Sequence, residues 1–127
     1  MFRRVTPPVA FEILRDSPEV PILDVRTEGE FHGPLGHVRG ARNLPLADLP
    51  MRYLEILDLR RETFLVYCHA DECDPQVMTF LDSYGFVDAM LIDGGIEAWI
   101  QDGYGTVGAG GPPEHEDRIR GVRPASR

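Results

Sequence analysis

A strand, a short polar loop and the start of a helix follow one another in the middle of the chain, and this succession constrains the fold more than any other feature. The apolar run at residues 63–67 ends at Cys68, the loop covers residues 69–73, and Asp74 opens a segment with helical spacing. In such a turn, backbone N–H groups and the helix dipole converge on the thiol, favour its thiolate and can hold an anion. The pattern therefore predicts a nucleophilic cysteine at position 68.

The length and charge of the chain limit its number of domains and its expected partners. The 127 residues suffice for one domain with one core, and the net charge is −8, with every cation an arginine. Between Arg61 and Arg118 the only basic side chains are His69 and His115, so the part of the chain around Cys68 is acidic. Because phosphate contacts need a basic surface, we expect no nucleic-acid partner. Small anionic substrates are also disfavoured, unless arginines from the N-terminal half reach the site.

The sequence contains no apolar run of membrane-spanning length, and the N-terminus lacks the apolar stretch of a signal peptide. We therefore expect a cytoplasmic protein with no membrane partner. The two cysteines, Cys68 and Cys73, do not make a disulfide framework, and in a cytoplasmic protein they are expected to be reactive or buried.

Strand-like and helix-like segments alternate along the chain, which predicts an α/β fold with a largely parallel sheet. Strands are predicted at residues 21–26, 41–44, 64–68 and 89–92. Helical segments are predicted to begin near residues 7, 28, 48, 74 and 95. Asp48 and Asp74 are the expected N-caps of two of them, and Gly85 the C-terminal glycine of the second.

Two of these helices have predicted inner faces. The face of the helix after Asp48 consists of Leu49, Tyr53, Ile56 and Leu57, and that of the last helix of Ile96, Trp99 and Ile100. The composition changes at residue 105, where glycine, proline and polar residues replace apolar ones. We therefore predict a domain over residues 1–104 and a mobile tail over residues 105–127.

Five short motifs resemble, in order and spacing, those of rhodanese-like domains. They are LDVR with EF (residues 23–26 and 30–31), GHVRGARNLP (36–45), VYC (66–68), YGF (84–86) and DGGIEAW (93–99). The resemblance covers about residues 5–104. It implies a three-layer α/β fold with a parallel sheet of about five strands, helices on both faces, and the nucleophile in the loop after the central strand. It also implies sulfur transfer, in which the thiolate takes a sulfane sulfur from a donor as a persulfide and passes it to a nucleophilic acceptor. Cys68 aligns with the family's cysteine.

The active-site loop departs from the family pattern. It consists of His69, Ala70, Asp71, Glu72, Cys73 and Asp74. In the family a glycine, an arginine and a serine typically occupy the places of Asp71, Cys73 and Asp74. We expect Asp74 to accept the helix-start N–H bonds, and Asp71 and Glu72 to oppose ionisation of the thiol. Doubly negative thiosulfate should therefore bind poorly, and a neutral or partner-borne persulfide is the expected donor. Phosphatase and arsenate-reductase chemistry is excluded because the loop has no arginine to hold the oxyanion.

Three residues are expected to support the site. Asp24 and Arg26 end a strand at the same edge as Cys68, and the resemblance implies a structural pair, with Arg26 able to neutralise a loop carboxylate. His37 is expected to be a hydrogen-bonded scaffold residue. His69 follows the nucleophile directly, which points its side chain away, so we interpret it as tuning the loop's polarity rather than acting as a base.

Cys73 has two interpretations. It is either a resolving thiol that pairs with Cys68 or an inert loop residue in the place of arginine, and we favour the second. A metal site built from Cys68, His69, Cys73 and one loop aspartate lacks a second ligand pair. We therefore expect neither a metal nor an organic cofactor.

The leading hypothesis is a single-domain transferase: a rhodanese-like sulfurtransferase or persulfide carrier that uses Cys68. Its partners would be a sulfur donor and acceptor, either small thiols or protein persulfides, and the chain would be a monomer or weak homodimer. Two alternatives stay open. One is a catalytically weak rhodanese-like binding or regulatory module, and the other is a thiol redox switch through Cys68 and Cys73.

Overall fold

Within residues 3–108, five short strands form one sheet in which all neighbours run parallel, in the order β1-β5-β4-β2-β3. A computed structural model of the chain describes residues 3–108. The strands are β1 (Arg3–Val5), β2 (Ile22–Asp24), β3 (Arg42–Asn43), β4 (Phe64–Tyr67) and β5 (Ala89–Ile92). The predicted α/β class with a parallel sheet of about five strands is confirmed. Since the strands are parallel, their carboxyl ends share one edge, and Cys68 follows the central strand there.

Helices cover both faces of the sheet. They are α1 (Pro7–Asp16), α2 (Glu28–Phe31), α3 (Leu49–Arg52), α4 (Asp74–Ser83) and α5 (Gly95–Gln101), with 3₁₀ turns at Leu46–Asp48 and Tyr53–Leu59. In β4, Phe64 and Val66 pack towards α3 and α4, whereas Leu65 and Tyr67 pack towards α1 and α5. All four side chains are buried, as the two-residue period of a strand covered on both faces requires. None of the helices in residues 3–108 has the length and apolar character needed to cross a membrane.

Strand β1 was not predicted from the sequence. It pairs with β5 in the register Arg3↔Met90 to Val5↔Ile92, and the amide of Asp93 extends the ladder by donating to the Val5 carbonyl at 2.8 Å. The strand has only three residues, two of them arginines, so it lacks the alternation of apolar and polar residues from which a strand is predicted. This strand brings the N-terminal arginines to the sheet edge beside β5.

The helix predicted after Asp48 is broken. Only Leu49–Arg52 is α-helical, and the following Tyr53–Leu59 segment is 3₁₀. The segment is kinked at Ile56, whose φ of −118° and ψ of 21° are not helical. Ile56 and Leu59 are buried and Leu57 is exposed, which corrects the predicted place of Leu57 in the core. Asp48 makes no capping hydrogen bond. Its carboxylate accepts one from Arg52 at 3.3 Å instead.

Helix α5 buries Ile96 and Trp99, as predicted, but Ile100 is exposed and its predicted inner position is wrong. The helix has only seven residues, and two side chains three positions apart fill its inward side. The chain then stays attached to the domain, because Val107 and His37 exchange two backbone hydrogen bonds of 2.8 and 2.9 Å. Packing therefore continues beyond residue 104 at least to Val107, and residues 109–127 of the predicted tail lie outside the described part.

Candidate active site

Cys68 lies directly after β4, at the carboxyl edge of the sheet, and is 1% exposed. The hydrogen bond from the Val25 amide to the Tyr67 carbonyl, 3.1 Å long, continues the β2–β4 pairing up to the cysteine. The loop then turns away from the sheet and enters α4. The structure thus places the predicted nucleophile where a central strand, a loop and a helix start meet.

The start of α5 holds the loop in place. The amide of Ile96 donates to the Cys68 carbonyl at 2.9 Å, and the amide of Glu97 donates to the His69 carbonyl at 3.0 Å. These N–H groups belong to the first turn of a helix and would otherwise have no intrahelical partner. The two loop carbonyls therefore receive their hydrogen bonds from α5.

Gly95 permits this close approach. A Cβ atom on Gly95 would lie 2.5 Å from the Cys68 carbonyl oxygen and 2.6 Å from that of His69. Its φ of +62° also lies in the left-handed region, which residues with a side chain rarely adopt. Only glycine fits here without moving the backbone of the nucleophile.

Two loop acids accept backbone hydrogen bonds. Glu72 Oε1 accepts from the amide of Ala70 at 3.0 Å, and Asp71 Oδ1 accepts from the amide of Gly94 at 2.8 Å. Among residues 3–108, no acceptor is found for the amides of Asp71, Glu72 and Cys73. Part of the loop's N–H set is therefore available to a bound ligand.

Asp74 does not cap α4, which corrects the sequence prediction. The hydrogen bond from its amide to the Asp71 carbonyl closes a turn that makes Cys73 the N-cap and Asp74 the first helical residue. Its buried carboxylate instead accepts a hydrogen bond from Arg4 Nη1 at 2.9 Å and contacts Cys68 Sγ at 3.9 Å. Burial raises the pKa of the Asp74 carboxyl, and Arg4 opposes that rise.

Arg4 is the residue of the site that the sequence did not indicate. Its guanidinium also donates to Asp93 Oδ1 at 3.0 Å, so it joins the edge strand to α4 and to the end of β5. A cation from the N-terminal half thus reaches the acidic loop, a placement that the unpredicted strand β1 makes possible.

Cys73 contacts the nucleophile. Its sulfur lies within bonding distance of the Cys68 sulfur, and the two Cα atoms are 6.4 Å apart, within the range of disulfides. This geometry favours the other interpretation, a thiol that pairs with Cys68, and the role of Cys73 stays a prediction. The chain separation of five residues is closed by the turn at Asp71–Asp74.

A cavity of about 260 Å³ opens over the two cysteines. Loop residues form one side of it and the segments after β2 and β3 form the other. Its lining consists of Val25, Arg26, Thr27, Glu30, Pro45, Leu46, Ala47, Cys68, His69, Glu72 and Cys73. Its walls combine apolar side chains with two carboxylates, and a small sulfur compound fits its volume.

Arg26 does not neutralise the loop acids, which corrects that expectation. Its guanidinium is buried and donates to Asp24 Oδ2 at 2.7 Å and to the Gly36 carbonyl at 2.6 Å. Asp24 therefore accounts for the charge of Arg26, the one arginine that residues 3–108 contribute to the cavity wall. The pair ties the end of β2 to the loop that precedes β3.

His69 and His37 have different surroundings. His69 lies in the cavity wall, where Nε2 is 2.8 Å from Glu97 Oε2 and Nδ1 is 3.9 Å from Glu30 Oε2. His37 is buried, with Nδ1 2.9 Å from the Phe31 carbonyl and its ring stacked on the Phe31 ring. His37 is not part of the cavity wall.

In the described part of the chain, one group of side chains has the donor types and spacing for a metal ion. The Cys68 and Cys73 sulfurs and an Asp74 oxygen all lie within 4.8 Å of one another. With the sulfurs bonded to each other, neither is a thiolate, the form that binds metals. The group could therefore act as a three-ligand site only in its dithiol form.

The sequence of this chain is similar to those of known proteins. The family model for the rhodanese-like domain matches residues 8–102. A protein named thiosulfate sulfurtransferase GlpE, from Pseudomonas putida strain F1, is 33% identical over 101 residues, which cover 77% of this chain and 84% of that protein. A probable molybdopterin-synthase adenylyltransferase from Porphyra purpurea is 32% identical over 88 residues, or 69% of this chain, but the match spans only 22% of that longer protein.

Solved structures share the architecture. The crystal structure of a rhodanese-related protein from Thermoplasma volcanium superposes with a TM-score of 0.69 at 27% identity, covering 84% of this chain and 98% of that one. The solution structure of a rhodanese-like domain from Anabaena gives a TM-score of 0.73 at 28% identity, covering 89% and 86% of the two chains.

Proposed function

Because this chain belongs to the rhodanese-like domain family, we propose that it is a sulfurtransferase that carries a sulfane sulfur as a persulfide on Cys68. The observation that carries the proposal is the position of Cys68, at the end of the central strand and in the wall of a cavity of about 260 Å³. A nucleophile in the loop after a parallel strand has its chemistry at the carboxyl edge of the sheet, where ligands of such folds bind.

The transfer consists of two displacements at sulfur. The Cys68 thiolate attacks the outer sulfur of a donor persulfide, so that a bond forms to Cys68 Sγ and the donor leaves as a thiolate. An acceptor thiolate then attacks the outer sulfur of the Cys68 persulfide, and Cys68 leaves as a thiolate. No net oxidation occurs, and neither step calls for a metal or an organic cofactor. The amides of Asp71, Glu72 and Cys73, for which residues 3–108 offer no acceptor, are the groups we propose to stabilise the anionic persulfide.

The charges of the cavity favour a persulfide donor over thiosulfate. Among residues 3–108, Glu30 and Glu72 line the cavity, and the one arginine in its wall, Arg26, is paired with Asp24. A doubly negative donor would meet two carboxylates, and within the described part of the chain no unpaired arginine of the wall offsets their charge. A small or protein-borne persulfide has less charge, so we propose these as donors, with a thiol as acceptor. We further propose that the chain works in the cytoplasm, as a monomer or weak homodimer.

A second candidate function is a thiol redox switch. The Cys68 and Cys73 sulfurs lie within bonding distance, and a Cys68 engaged in a disulfide has no thiolate with which to attack a donor. Sulfur transfer would then take place in the dithiol form and stop in the disulfide form. The alternative of a binding module receives less support, since only the Ala70 amide of the loop is occupied by a loop carboxylate.

Intact-mass spectrometry of the reduced protein tests the proposal. Wild type and Cys68→Ser are offered a low-molecular-weight persulfide, or separately thiosulfate, and then cyanide. We expect wild type alone to gain one sulfur atom, more readily from the persulfide, and cyanide to remove it. Failure of the folded, reduced wild type to gain sulfur from either donor would overturn the sulfurtransferase.

A further inference from the structure

We propose that the oxidised Cys68–Cys73 pair reacts with inorganic sulfide, so that hydrosulfide opens the bond between the two sulfurs and leaves a persulfide on Cys68. This inference rests on the proposed function, because the product is the same persulfide that the sulfurtransferase would carry. It adds a second substrate class, sulfide, which contains no sulfane sulfur of its own.

The surroundings of the pair suit a very small nucleophile. Both cysteines line the same cavity, and Cys68 is 1% exposed, so a reagent must enter the cavity to reach its sulfur. Hydrogen sulfide and hydrosulfide have a single heavy atom, and the neutral form of sulfide can pass the carboxylates of Glu30 and Glu72 without repulsion. The apolar side chains of Val25, Leu46 and Ala47 form much of the remaining wall.

Electrostatics determine which sulfur receives the nucleophile. Cys73 is the N-cap of the ten-residue helix α4, where the helix dipole stabilises a thiolate and makes it the better leaving group. The buried Asp74 carboxyl lies within 4.8 Å of both sulfurs, so it opposes negative charge on either one, and the helix start is what distinguishes Cys73. Attack at Cys68 with departure of Cys73 places the new negative charge at the helix start. The sulfur is therefore expected on Cys68.

The step balances without a further reagent. Hydrogen sulfide that enters in its neutral form first gives up a proton to water. Hydrosulfide then forms a bond to Cys68 Sγ, the bond from Cys68 Sγ to Cys73 Sγ breaks, and Cys73 leaves as a thiolate. The sulfide sulfur is oxidised by two electrons to the sulfane level, and the disulfide is the oxidant that takes them up. One disulfide consumes one sulfide, so each chain forms one Cys68 persulfide.

The test uses the wild-type full chain in two redox states. Protein oxidised to the disulfide and protein fully reduced are each mixed, without oxygen, with one equivalent of sodium sulfide. Both samples are then alkylated. Their intact masses are measured by mass spectrometry, and the modified cysteines are located by peptide mapping. A third sample, reduced protein with a low-molecular-weight persulfide, reports separately on the proposed function.

We expect the oxidised protein to gain one sulfur atom per chain, on Cys68, with an alkylated thiol on Cys73, and the reduced protein to gain none from sulfide. An oxidised protein that stays unchanged, is merely reduced, or carries the sulfur on Cys73 would overturn the inference. So would a wild type that cannot be converted to the disulfide. If the reduced protein nevertheless loads from the persulfide, the proposed function stands while this inference fails. The reverse pattern would reject the sulfurtransferase and keep sulfide capture.

Discussion

Arg4 on the edge strand β1 donates a hydrogen bond to Asp74 at the start of α4, with 2.9 Å between Nη1 and Oδ2. Seventy sequence positions separate the two residues. The Asp74 side chain is 2% exposed, and its other oxygen contacts Cys68 Sγ at 3.9 Å. The N-terminal strand therefore supplies the positive charge that balances a carboxylate beside the nucleophile.

Replacing Arg4 by glutamine should destabilise the domain, because the buried Asp74 carboxyl would lose its cationic partner. We expect a loss of about 1–2 kcal/mol in the free energy of unfolding, measured by denaturant titration. The matched control is Arg3→Gln on the same strand. Arg3 pairs with the more exposed Asp88, so its loss should cost at most about 0.5 kcal/mol. Equal losses in the two variants would contradict a special role for the Arg4–Asp74 pair.

Asp74 and Asp88 should give opposite pH dependences of stability. Burial raises the pKa of Asp74 above 3.8, and Arg4 offsets this only in part, so its stabilising contribution is present at low pH and lost as pH rises through the folded-state value. A hydrogen bond from Thr63, and the contact with Arg3, lower the pKa of Asp88 below 3.8. Its contribution is therefore present above that value and lost as pH falls through its folded-state pKa.

The measurement compares Asp74→Asn and Asp88→Asn with wild type between about pH 3 and about pH 6. Relative to wild type, the unfolding free energy of Asp74→Asn should rise with pH, and that of Asp88→Asn should fall. Parallel slopes for the two variants would refute the opposite pKa directions. Other carboxyls of the chain titrate in the same range, but they are common to all three proteins and cancel in the differences.

The buried parts of the fold were predictable from the sequence because they repeat. Four strands, the order of helices and the position of Cys68 follow from apolar runs, turn glycines and short motifs. Strand β1 was not predictable, since an edge strand of three residues with two arginines has no such pattern. The buried positions after Asp48 were also predicted incorrectly at Leu57. The prediction assumed the period of an α-helix, whereas the segment is a kinked 3₁₀ helix with a different period.

The electrostatics of the site depend on long-range contacts, and these were the least predictable. Placing Arg4 beside Asp74 requires the pairing of β1 with β5, which no local rule provides. Asp74 was predicted to be the N-cap of α4, but it is the first helical residue. This difference of one residue lies within the usual uncertainty of helix boundaries. The pairing of Cys68 with Cys73 was open from the sequence, because a separation of five residues allows it only if the loop folds back.

Substituting Gly95 by alanine should disturb the nucleophile without touching its side chain. The new Cβ would lie 2.5 Å from the Cys68 carbonyl oxygen, and the residue would keep a positive φ. We expect a loss of at least about 2 kcal/mol in unfolding free energy and slower loading of Cys68 with sulfur.

The control is Gly103→Ala, where φ is +95° but no atom lies within 4 Å of the added Cβ. Backbone strain alone should cost about 1 kcal/mol there and leave loading intact, whereas equal effects on loading would argue against a role for the α5 contact.

Oxidation should control sulfur loading through Cys73. If the two sulfurs bond to each other, treating wild type with a disulfide-forming oxidant should reduce the transfer of a sulfane sulfur to Cys68 from a sulfide-free persulfide donor to the level of Cys68→Ser, and dithiothreitol should restore it. Cys73→Ser has no partner for Cys68 and should lose this reversible response. Its unprotected Cys68 should instead be driven by stronger oxidants to sulfinic acid, which dithiothreitol does not reverse. The measurement is intact mass before and after reductant, with persulfide loading assayed in parallel. A wild type that loads equally well before and after oxidation would show that the pair does not close in solution.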